Sequence, residues 1–134
     1  MKVAFLNAIY WIIGLMIGLG AYGHAFIGVR PIRAALAGVS LPTDIRQSIW
    51  VVWSFVSGAM LVCGVLIIWA WFEARQGRTQ ALMIPIIISV FYVVFGIGSF
   101  AYQRSPFWLL FLAEGALLLA ATIGLRTSLL SAAP

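Results

Sequence analysis

The chain has 134 residues, of which 64% are hydrophobic and 8% charged, and its mean hydropathy is +1.12. A soluble domain carries roughly 25% charged residues, so this chain lacks the polar groups to coat a water-facing surface. Eight Lys and Arg against three acids give a formal net charge of +5, which in so apolar a chain points to anionic lipid headgroups; the basic residues form no stripe, and nucleic acid is not an expected partner.

Crossing about 30 Å of hydrocarbon as a helix takes about 20 mostly apolar residues, and four runs meet that need: 3–27, 45–71, 81–102 and 107–125. They are continuously apolar and lack the period-two alternation of a barrel wall, and only a helix satisfies its own backbone in lipid. The expected fold is therefore an all-α integral membrane protein, a four-transmembrane-helix bundle forming a single membrane domain over 1–134.

The first run is longer than the apolar core of a signal peptide, so a retained helix is expected. Gly14 and Gly18 stand in GxxxG spacing, continued by Ala21 and Ala25, while Gly20, His24 and Gly28 form an adjacent row. Arg30, Pro31 and Arg33 read as the stop of this helix, with a short interfacial helix possible over 31–38. "SLPTDIRQ" opens the second run, with Thr43 or Asp44 as N-cap. That run carries Ser54, Ser57, Gly58 and Gly64 on one stripe, and Cys63, the single cysteine, reads as a small apolar residue that excludes an internal disulfide. The third run, after "EARQGRTQ", has Pro85 in its opening turns and Ser89, Tyr92, Gly96 and Ser99 at helical spacing. "QRSPF" opens the fourth, with Ser105 as N-cap and Pro106 at the first helical position.

In lipid, helices associate where small residues let backbones approach. Gly14, Gly18, Ala21, Gly58, Gly64 and Gly96 are accordingly expected at helix contacts. Most of the six tryptophans lie near run ends, at headgroup level, while Trp11 and Trp53 sit deeper, where a pigment or quinone pocket could use them but packing explains them without one. Lys2, Arg75, Arg78 and Arg126 share the face of the termini, and Arg30, Arg33, Arg46 and Arg104 are expected to contact headgroups at the other. This four-to-four tie leaves the free amino group to tip the termini toward the cytoplasm.

An ionisable side chain inside a membrane helix marks a candidate site because its burial must be compensated. Two qualify: His24 and Glu114. At about 1.5 Å per residue, Glu114 lies roughly 10 Å into the bilayer and His24 about 5 to 6 Å, both from the face opposite the termini. Inserting Glu114 charged costs about 3 kcal/mol, and holding it neutral at pH 7 costs about 3.7 kcal/mol, so a partner decides its state. The candidate intramembrane polar cluster joins His24 and Glu114 with Ser54, Ser57, Ser99 and Tyr102, and with Tyr22 nearby. Against this stand plainer readings: a histidine near a helix end can satisfy a carbonyl or face headgroups, and a lone Glu can fasten helices or a subunit.

No nucleophile constellation, phosphate-cradling loop or cluster of metal ligands is present in the sequence, so no catalytic residue, metal or cofactor is expected. "GHAFIG" in the first helix, "RQSIWVVWSFVSG" at the second and "RSPFWLL" at the fourth resemble small uncharacterised four-helix bacterial integral membrane proteins. The resemblance implies a bacterial cytoplasmic (inner) membrane and no particular activity. The preferred function is a non-catalytic accessory or assembly subunit that packs against a larger membrane complex or a second copy of itself, in contact with membrane lipids. The alternative is a binder or enzyme for a small lipophilic molecule, using a Glu114–His24 pocket.

Overall fold

A computed structural model describes residues 2–131, and side chains from residue 3 onward. All regular structure among the described residues is helical. Helix α1 spans Lys2–Tyr22 and runs without a break through a π-helical turn, Gly23–Gly28, into α2, Val29–Ala37. Helix α3 spans Thr43–Arg75, a 3₁₀ turn at Thr79–Leu82 leads into α4, Met83–Gln103, and another at Pro106–Trp108 leads into α5, Leu109–Ser131. Four continuous helical stretches of 35, 33, 25 and 26 residues result, each long and apolar enough to cross a membrane.

The ends of these helices have local causes. After α3 the Arg78 N–H reaches the Glu73 carbonyl and the Gly77 N–H the Ala74 carbonyl, both at 3.1 Å, with Gly77 at φ +88°. This is the Schellman stop, which places a left-handed residue just past the helix and favours glycine there. The Arg78 side chain closes the same loop by pairing with the Glu73 carboxylate. Helix α4 ends by the simpler left-handed stop, in which the Arg104 N–H bonds the Phe100 carbonyl at 2.8 Å. Arg104 adopts φ 56°, so a residue with a Cβ takes the conformation that Gly77 adopts freely.

Two expected boundaries need correction. Pro31 does not end the first helix, which continues ten residues past 27 to Ala37. Pro31 lies three residues past the π turn, whose widened ladder already departs from the i to i−4 pattern that a proline interrupts. At α3, Pro42 occupies the cap position and no side chain caps the helix, so neither Thr43 nor Asp44 serves as N-cap. Ser105 and Pro106 do take the cap and first positions ahead of α5, although the Ser105 hydroxyl makes no capping bond.

The helices are ordered α3–α1–α5–α4, with α1 packed against both α3 and α5. The closest approach is at Gly64 of α3, where an added Cβ would lie 2.5 Å from the Gly18 Cα. Gly14 sits against Ile67, and Gly96 and the unanticipated Gly115 bring α4 and α5 together. Ala21 is buried. Gly58 departs from expectation: it is exposed, with nothing within 4 Å of an added Cβ, because the α3 face that meets α1 carries Ser57 and Gly64 instead.

The core is concentrated in the half of the bundle that holds the termini. Tyr10, Ile17, Ile67, Leu82, Leu118 and Thr122 are among its fully buried residues. The Tyr10 hydroxyl donates to the Ile67 carbonyl at 2.6 Å, and Trp71 Nε1 donates to Asn7 Oδ1 at 2.9 Å. Trp11 stands edge-on to Trp71, with ring centroids 5.2 Å apart. In contrast, no residue of α3 before Ser57 is buried. That half of α3 touches little besides the π turn and α2, and the bundle is open beside it.

Candidate functional site

The π turn Gly23–Gly28 holds the chain's single histidine between two glycines. A π turn takes in one more residue than an α turn, is rare, and often accompanies a functional site. At Gly28 an added Cβ would meet the Trp53 ring at 3.3 Å, so the small residue lets the indole lie close to the turn. Trp53 Nε1 donates to the His24 carbonyl at 3.0 Å, a partner from outside the helix for a backbone group in the distorted turn.

The His24 side chain is tied to the same turn of α3. Its ring stacks on Trp53, with centroids 3.8 Å apart and planes 13° from parallel. Its Nδ1 lies 2.8 Å from Ser57 Oγ, and Ser57 Oγ donates its proton to the Trp53 carbonyl at 3.0 Å. A hydroxyl has one proton, so with that proton on the Trp53 carbonyl Ser57 is left to accept from His24 Nδ1–H.

Beside this junction lies a cavity of about 210 Å³ lined by Ala25, Val29 and Arg33 from one helix and by Trp50, Trp53, Ser54 and Ser57 from α3. Ala25, Val29 and Arg33 are four apart, and the α3 residues three or four apart, so each set occupies one helix face. The Arg33 guanidinium lies over the Trp50 ring, 5.5 Å from its centroid, a cation–π arrangement that holds it at the mouth.

The expected single cluster is divided. His24, Ser54 and Ser57 come together at the α3 junction, whereas Glu114 is buried at 8% exposure in α5. Its neighbour Gly115 packs against Ser89 and Tyr92 of α4. Gly124 of α5 lies against Leu6 of α1. The two helices are antiparallel, so ten residues along each sets Glu114 level with Met16, eight residues or about 12 Å short of His24. Among the described residues the one ion pair is Glu73–Arg78. The expected His24–Glu114 bond is not made, because that axial offset separates the two side chains; His24 Nδ1 lies against Ser57 instead. Ser99 is half-buried on α4; Tyr102 and Tyr22 face outward at 88% and 64% exposure. Depth alone had grouped these residues, and depth carries no information about direction around a helix.

Arg30, Arg33, Arg46 and Arg104 are all exposed at the end that carries the cavity. Arg46 donates to the Val39 carbonyl at 3.2 Å. The residues missed at the sequence level are Trp50 and Trp53, read there as headgroup and packing residues. Their signal was available: in "WVVWSFVS" Trp50, Trp53, Ser54 and Ser57 share one helix face.

Among the described residues, no three His, Cys, Asp or Glu side chains converge to hold a metal ion. A second cavity, about 30 Å³, lies at the opposite end between Asn7, Trp71, Arg75 and Leu125. No known protein family, curated protein or solved structure matches the chain.

Proposed function

We propose that this protein is a four-pass bundle of the bacterial cytoplasmic membrane, with both termini inside, that serves as a non-catalytic packing subunit. The observation that carries this reading is the asymmetry of α3. Its second half is clasped by Gly14 and Gly18, while its first half has no buried residue and presents Val51 and Phe55 outward at 68% and 74% exposure. Val62 continues that face at 56% exposure. In lipid such a face gains little from apolarity alone, but it offers a long flat surface to another helix. The partner is a larger membrane complex or a second copy of this chain.

The test is purification in a mild detergent followed by native mass spectrometry. A second chain or second copy is expected to be retained, and to be lost when Val51, Phe55 and Val62 are replaced together by alanine. Recovery of the wild-type chain solely as a monomer would overturn the proposal.

The cavity beside His24 favours a second reading, a binder of a small lipophilic molecule. That role now falls to the junction of His24, Ser57 and Arg33, since Glu114 lies elsewhere. Filling the cavity through Ser54→Phe is expected to abolish such binding and to leave partner retention intact.

A further inference from the structure

We propose that the cavity between α2 and α3 binds the headgroup of one anionic phospholipid, with Arg33 paired to the phosphate. The inference rests on the membrane placement proposed above. At the mouth, Arg33 is positioned over Trp50 and has no acidic partner among the described residues. A guanidinium suits the phosphate of a lipid headgroup because its planar donors can engage two oxygens at once. Ser54 lines the same space and adds a hydroxyl donor. Neither Trp53 Nε1 nor the Ser57 hydroxyl competes for the ligand, since their protons go to the His24 and Trp53 carbonyls.

The path below the cavity suits acyl chains. Four residues past Ser54 comes Gly58, exposed and with open space where a side chain would stand, followed on the same side by Leu61, also exposed. An exposed apolar surface of α3 therefore continues from the polar cavity toward the bilayer centre. A polar head site next to such a surface suits an amphiphile, whereas a free anion would use the cavity alone.

The experiment is native mass spectrometry of the full chain in detergent, titrated with phosphatidylglycerol or phosphatidylcholine. One phosphatidylglycerol is expected to be retained, at least tenfold more tightly than phosphatidylcholine. Arg33→Gln should weaken it by about tenfold or more, in line with loss of one charged hydrogen-bonding group. Arg30→Gln, a charge change on the same helix outside the cavity, should change it less than twofold. Ser54→Phe should abolish retention at constant net charge and supplies a second, independent variant. Equal retention of the two lipids, equal losses in Arg33→Gln and Arg30→Gln, or full retention by Ser54→Phe would each overturn the site. Displacement of the lipid by millimolar glycerol phosphate would overturn the lipid assignment in favour of a free phosphate compound. Extraction of the chain from membranes by alkaline carbonate without detergent would instead overturn the membrane placement itself.

Discussion

Ser57 decides what His24 is. By giving its proton to the Trp53 carbonyl and accepting from Nδ1, it orients the imidazole flat on the indole. Ser57→Ala therefore leaves a half-buried N–H without its partner, and a loss of about 1–2 kcal/mol is expected in detergent unfolding. The same substitution made in a His24→Phe background should cost clearly less; equal costs in both backgrounds would show that the bond contributes nothing. Glu114 has the opposite character. It is buried, and the one ion pair among the described residues lies elsewhere, so Glu114→Gln, which keeps its volume, should leave the unfolding midpoint unchanged or raise it. A fall as large as that of Ser57→Ala would instead indicate an ionised carboxylate holding a contact. At this scale the sequence marked His24, Ser54 and Ser57 but not Trp53, on which His24 stacks, because packing between helices is a sufficient explanation for a tryptophan below headgroup level.

At the scale of elements, glycine spacing was a partial guide. The GxxxG of α1 lies against α3, where Gly64 meets Gly18 and Ile67 meets Gly14. Gly58 looked equivalent in sequence and is not, because six residues along a helix turn it to another side. The two separate cleanly in measurement. Gly64→Leu should force α1 and α3 apart, costing about 3 kcal/mol or preventing recovery of folded protein. Gly58→Ala should be neutral or stabilising by up to about 1 kcal/mol, since it replaces a poor helix former in open space; a marked loss of stability there would show that the α3 face is covered at Gly58. The π turn belongs to this scale as well. No local pattern announced it, and it arises where Gly28 admits the Trp53 ring and Trp53 takes up the His24 carbonyl.

Across the whole molecule, tight packing near the termini contrasts with an open end around the first half of α3. The order α3–α1–α5–α4 separates the helices of the two candidate residues: His24 meets α3, and Glu114 is buried on α5. The orientation prediction also belongs here. Ser40 follows α2 and Gln76 follows α3, so one crossing separates them in the proposed topology. In intact cells an impermeant maleimide should label Ser40→Cys and spare Gln76→Cys. The reverse pattern would invert the orientation, and equal labelling of both would sink the crossing by α3.

What the sequence by itself determined is the number, type and approximate extent of the helices. Apolar run length and the chemistry of boundaries such as "EARQGRTQ" and Ser105–Pro106 act locally, residue by residue. It also located the two ionisable residues within apolar runs. Only the tertiary structure decided which faces meet. The rotation of each helix about its axis and the order of helices around the bundle depend on packing between segments distant in sequence. Those two choices give His24 to Trp53 and Ser57, bury Glu114 on α5 away from it, and leave Arg33 over a cavity.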